Sequence, residues 1–127
     1  MWFRKSLQKT TKPSTRARGM QVERQAEAWL CGEGLSPLER NYTIRGGELD
    51  LIMREGDVLV FIEVRYRKTE THGSGAESVD PRKQKRLQKA AQHYLQAHFG
   101  NREPPCRFDV MSVSGTPMHF EWIRNAF

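Results

Sequence analysis

Apolar residues along this chain recur in two periods, and the switches between them mark helices and strands. From Gly19 to Gly32, Val22, Ala26, Trp29 and Leu30 fall at helical spacing, with Gly32 and Gly34 as the stop. Leu35 to Ile44 reads as a strand, and Pro37 within it predicts an edge position or a late start. Two runs follow, near 47–54 and 58–67, separated by a turn signal at Glu55-Gly56-Asp57, and they predict an antiparallel hairpin. Residues 68 to 79, centred on Gly73-Ser74-Gly75, read as loop. Asp80-Pro81 then opens a helix, Asp as N-cap and Pro at the first helical position. It runs to about Phe99 with Leu87, Ala91, Tyr94, Leu95 and Phe99 inward, and Gly100-Asn101 ends it. Strands over 106–114 and 118–124 flank a turn at Gly115-Thr116-Pro117. The strand, helix, strand order from Val58 to Ser114 suits a right-handed crossover, so the fold class is α/β, a mixed sheet of about five strands with two principal flanking helices.

Two of these runs carry a carboxylate where an apolar side chain is expected. Asp50 lies inside Gly47-Glu48-Leu49-Asp50-Leu51-Ile52, and Glu63 inside Val60-Phe61-Ile62-Glu63-Val64-Arg65. An ionised group in such a setting is costly unless a cation or hydrogen bonds stabilise it. A hairpin loop with an even number of residues puts Asp50 and Glu63 on one face. A two-residue loop at Gly56-Asp57 sets them directly opposite, and one at Glu55-Gly56 offsets them by two; either separation suits one divalent cation. Structural ion pairs, Asp50 with Arg45 and Glu48 with Arg65, are the competing reading of the same residues.

Composition narrows the setting. The chain has 127 residues, enough for one domain, and a formal charge of +6 that has a clear address. Residues 1–18 hold Arg4, Lys5, Lys9, Lys12, Arg16 and Arg18 and no acid, so 1–18 reads as a basic flexible arm on a charge-balanced domain over 19–127. Such an arm fits either an anchor to nucleic-acid phosphates or a solvated tail. No apolar run approaches the ~20 residues of a membrane span, and the N-terminus lacks the apolar core of a secretory signal, so a cytoplasmic protein without membrane contact is expected. Cys31 and Cys106 are too few for a zinc framework, and the four histidines show no metal-ligand spacing. At the start of the second helix, Arg82, Lys83, Lys85, Arg86 and Lys89 oppose the helix dipole, which suits a site that receives an anion.

Taken together, Gly19 with Glu23 and Ala26, Arg40-Asn41, Gly47 to Ile52, Val60 to Arg65, Lys83-Gln84, Arg107-Phe108-Asp109-Val110 and Asn125-Ala126-Phe127 resemble the YraN family of small bacterial proteins. That family in turn resembles the Holliday-junction-resolvase branch of the PD-(D/E)xK, restriction-endonuclease-like superfamily. The resemblance implies a metal-dependent endonuclease acting on structured or branched DNA. It makes Asp50 and Glu63 direct ligands of Mg²⁺ or Mn²⁺, with the Val64 carbonyl beside them, and has Glu23 hold a metal-bound water or a second ion. Gln84 matches the polar helix residue that completes the motif. Arg65 stands where the superfamily has lysine; a guanidinium stays protonated and cannot be a general base, but it can bind the scissile phosphate. Lys68 and Lys83 are the candidate substitutes for the missing amine. Phosphate contacts fall to Arg67, Lys68, Arg82, Lys83, Lys85 and Arg86. A homodimer is implied as well, since a four-way junction needs two symmetric cuts. The alternative function is a non-catalytic nucleic-acid-binding module on the same scaffold, assisting a DNA-processing partner.

Overall fold

The computed structural model describes residues 15–67 and 79–127. Its elements are α1 (Thr15–Gly32), β1 (Ser36–Ile44), β2 (Gly47–Glu55), β3 (Val58–Arg67), α2 (Pro81–Phe99), β4 (Cys106–Ser114) and β5 (His119–Ile123). Most of the arm, Lys68 and the Gly73-Ser74-Gly75 loop lie outside the described residues, whereas Thr15 to Arg18 form the first turn of α1. The strands are ordered β1-β2-β3-β4-β5, and only β3 and β4 run parallel, joined across α2. This is the mixed five-strand α/β sheet that the hydrophobic pattern predicts.

Each helix covers one sheet face. α1 contributes Val22, Ala26 and Leu30 to a core with Leu51, Met53, Val60, Ile62, Met111 and Val113. On the other face α2 buries Leu87, Ala90, Ala91, Tyr94 and Leu95 against Leu49, Ile52, Leu59, Phe61 and Val110. α2 begins as its sequence dictates: the Lys83 N–H donates to Asp80 Oδ1 at 2.8 Å, and Gly100 accepts the positive φ at the other end. Gly47 is more than a turn residue. A β-carbon there would lie 2.4 Å from the Arg86 carbonyl oxygen, so glycine is what lets the helix backbone sit directly on β2.

Alternation in β1 and β2 breaks at one level. Residues two apart in a strand share a face, yet Leu51 belongs to the α1-side core and Leu49 to the α2-side core. In β1, Arg40 turns to α1, where its guanidinium brackets Glu27 at 2.7–3.0 Å, while Tyr42 packs edge-on against Tyr94 of α2. Arg40 pairs with Leu51 and Tyr42 with Leu49, which leaves Asn41 and Asp50 at the crease between them. Asn41 has φ 52°, a left-handed conformation that asparagine tolerates better than most residues, and the local twist it imposes reverses the faces. The crease is where Asp50 meets both helices' sides of the sheet.

Candidate metal centre

Hairpin geometry brings the two buried acids together. The β2–β3 loop is the two-residue Gly56-Asp57, and the ladder runs Glu55↔Val58 through Leu51↔Ile62, so the next residues of each strand are Asp50 and Glu63. Asp50 Oδ2 accepts the Val64 N–H at 2.9 Å, a bond that fixes the carboxyl at the mouth of the ladder. Glu63 is buried, and its Oε2 lies 2.6 Å from Lys83 Nζ, which descends from the first turn of α2. Glu23 arrives from α1 and faces Asp50 and the Asn41 side chain. Its Oε1 is buried with no hydrogen-bond partner among the described residues. Glu48, Asp50, Glu63, Lys83, Arg86 and Leu87 enclose a cavity of about 90 Å³. On the α1 side, Glu23 and Glu48 border an open groove of about 560 Å³ that runs past Arg16, Met20 and Thr43.

Charge in this cluster is unbalanced. Burial, and then the neighbouring charges of Glu63 and Glu23, push the Asp50 carboxyl up to about 8. Burial and Glu48 raise Glu23 as well. A structural ion pair would have the opposite effect, and no ion pair joins Asp50 to Arg45 among the described residues. The stability consequence has a definite sign. Below about pH 4 Asp50 is protonated folded and unfolded, and costs nothing. Between about 4 and about 8 the unfolded chain ionises while the folded one retains the proton, so stability falls with rising pH and stays low above about 8. Asp50→Asn is therefore expected to raise the melting temperature in EDTA at pH 8 and to change it little at pH 4. Thermal melts at both values check this; a gain independent of pH would refute it.

Two carboxylates and room for water suit the hard-oxygen shell of Mg²⁺ or Mn²⁺. Among the described residues, no group of three His, Cys, Asp or Glu side chains is arranged to hold an ion by itself. A cation at this centre would therefore keep much of its water, as Mg²⁺ commonly does. The orphaned oxygen of Glu23 and the desolvated Asp50 are the features of this chain that such a charge would satisfy.

A family model described as "Uncharacterised protein family UPF0102" matches residues 22–113. The chain belongs to the UPF0102 family. It is 51% identical over 115 residues to a UPF0102 protein of Chromohalobacter salexigens, covering 89% of this chain and 92% of that one. A UPF0102 protein of Aeromonas hydrophila is 48% identical over 116 residues (91% and 88%), and one of Xanthomonas campestris 52% identical over 110 residues (87% and 90%). The UPF0102 match takes in Glu23, Asp50, Glu63 and Lys83 together.

Other residues singled out in the sequence distribute unevenly in this UPF0102 chain. Arg65 follows Glu63 by two on β3, opposite Ser112 of β4, and by strand alternation shares the Glu63 face. Arg82, Lys83, Lys85 and Arg86 are exposed on the first two turns of α2, and Arg86 reaches the carboxylate cavity. Arg67 ends β3, and Lys68 lies outside the described residues. Gln84 does not enter the cluster: its side-chain amide donates to the Val79 carbonyl at 2.9 Å and ties down the approach to α2. Cys31 and Cys106 are free thiols, and no helix among the described residues is long and apolar enough to cross a membrane. How close α2 comes follows from its periodicity: position 83 lies on the stripe of Leu87, Ala90 and Tyr94, one turn before the first buried residue.

Proposed function

We propose that this chain is a metal-dependent DNA endonuclease of the PD-(D/E)xK type that acts on structured or branched DNA. What carries the reading is Asp50 placed opposite Glu63 at the sheet crease, with Glu23 crowding it and exposed bases of α2 at the rim. Asp50, Glu63 and the Val64 carbonyl would hold Mg²⁺ or Mn²⁺. When bound, the ion supplies a Lewis acid for the phosphate and lowers the pKa of a water near it. The protein's own residues do the rest. Asp50 would give up its proton to serve as a ligand, so activity rises as pH climbs toward about 8. Glu23 offers its unpartnered oxygen to a water. Arg65 binds the scissile phosphate and stabilises charge on it without exchanging a proton. Arg82, Lys85 and Arg86 hold flanking phosphates, so affinity falls with salt.

The guanidinium at position 65 supports a second reading, a non-catalytic nucleic-acid-binding module on the same scaffold. Cleavage of labelled four-way-junction, flap and single-stranded DNA with Mg²⁺ or Mn²⁺ separates the two. The nuclease reading predicts metal-dependent cutting by the wild type, highest on the junction or the flap. Activity gained only by Arg65→Lys would indicate a scaffold that has set its chemistry aside. Silence in both, with salt-sensitive binding intact, would establish the module.

A further inference from the structure

Lys83 occupies a position that phosphate binding alone does not require. The helices of the fold place most of their bases in solvent, but α2 rests on Gly47 so closely that its inward stripe carries Lys83 over the cluster. Its Nζ is 2.6 Å from Glu63 Oε2, and the two side chains differ sharply in exposure, 48% for Lys83 and 7% for Glu63. The buried carboxylate is thus balanced by an ammonium that reaches in from solvent. A four-carbon stem can withdraw by rotamer changes alone. The backbone need not follow, because the Lys83 N–H stays on Asp80 Oδ1. The same cavity is walled by Asp50 and Glu48, and its 90 Å³ corresponds to about three water volumes. Ammonium and a metal ion would bear on the same carboxylate of Glu63.

We propose that Lys83 is a positioning residue that stands in for the divalent cation at Glu63 and transfers its charge to a nucleic-acid phosphate when the cation binds. The inference rests on the metal-centre reading of Asp50 and Glu63. Cation alone must break the Lys83–Glu63 pair without replacement, whereas cation with DNA offers the displaced ammonium a phosphate beside Arg82, Lys85 and Arg86. Metal and DNA therefore bind with positive coupling, and the coupling is reciprocal. The ammonium also keeps Glu63 in place between turnovers.

The test is Mn²⁺ affinity, read by electron paramagnetic resonance of free Mn²⁺ for the full chain, with and without a phosphorothioate four-way junction. Wild type, Lys83→Met, Lys83→Gln and Asp50→Ala are compared. Both Lys83 variants are expected to bind Mn²⁺ about tenfold more tightly than wild type without DNA, within the range usual for coupled sites. The tightening that DNA produces in wild type should shrink by a similar factor. If Asp50→Ala loses Mn²⁺ but the Lys83 variants match wild type or bind more weakly, Lys83 does not compete and the proposal fails while the metal centre stands. Mn²⁺ binding that Asp50→Ala leaves unchanged would overturn both.

Discussion

Asp50→Ala and Glu63→Ala are each expected to remove metal-dependent DNA cleavage, with losses well beyond the ~10- to 100-fold typical when only a supporting partner of a metal ligand is removed. Both carboxylates extend the β2–β3 ladder one residue beyond the last pair Leu51↔Ile62, and Glu23 and Glu48 beside Asp50 project from other backbone positions, so neither reproduces its placement opposite Glu63. Folding should tolerate the Asp50 change. Asp50 is destabilised by burial and by its acidic neighbours, and alanine relieves that repulsion while freeing one backbone N–H at Val64. Glu63→Ala is less neutral, because Lys83 loses its partner, but that lysine is half exposed and reaches water. The expected pattern is thus inactive, folded protein, checked by cleavage rates beside thermal melts. A variant that cuts at the wild-type rate would remove its carboxylate from the mechanism.

Asp109→Ala is expected to be the most destabilising single change in the domain. Asp109 is fully buried in β4 and accepts Arg107 Nε, Trp122 Nε1 at 2.9 Å and the Asn125 N–H at 2.8 Å. Arg107 continues to Glu55 at the end of β2, and Arg124 pairs with the same glutamate while lying 4.0 Å over the Trp122 ring. The C-terminus closes the network, with Ala126 N–H on the Phe108 carbonyl and Phe127 stacked on Phe108. Alanine would leave a largely buried guanidinium, an indole N–H and a backbone N–H without their acceptor. Breaking a buried ion pair in this way costs roughly 3–5 kcal/mol. For a chain of this size that is a fall of roughly 10–20 °C in melting temperature. Differential scanning calorimetry checks it; a shift of a degree or two would mean that water or Glu55 replaces the carboxylate. Glu55 itself is held below the usual carboxylate range by Arg124 and Arg107, so the outer part of the network is lost on acidification.

Much of this fold was written locally. The Asp80-Pro81 start, the Gly100 stop, the edge position of Pro37 and the Gly56-Asp57 turn each depend on the backbone preferences of one or two residues. The Asp50–Glu63 juxtaposition followed from loop parity once the turn was placed. Three features were not legible because they depend on distant packing. Alternation predicts one face for Leu49 and Leu51, and only the left-handed Asn41 on the neighbouring strand reveals the crease that exposes Asp50 to Glu23. Two consecutive glycines suggest a turn or a bulge, and Gly46 does turn, with φ 88°, but the restriction at Gly47 comes from the Arg86 carbonyl of the helix lying on β2. The Arg107-Phe108-Asp109-Val110 and Asn125-Ala126-Phe127 motifs stand apart in sequence, and their shared role in the Asp109 network emerges only when β4 and β5 pair. Gln84 shows the converse: its place matches a motif, while a nearby carbonyl takes its amide.

The central claim is that the crease holds one divalent cation on Asp50 and Glu63. Mn²⁺ titration of the wild type at pH 8, followed by electron paramagnetic resonance and repeated on Asp50→Ala, tests it most directly. One saturable ion per chain is expected, lost in the variant and weakened as pH falls below about 8. Binding that is absent from the wild type, or that survives the loss of Asp50, would contradict it.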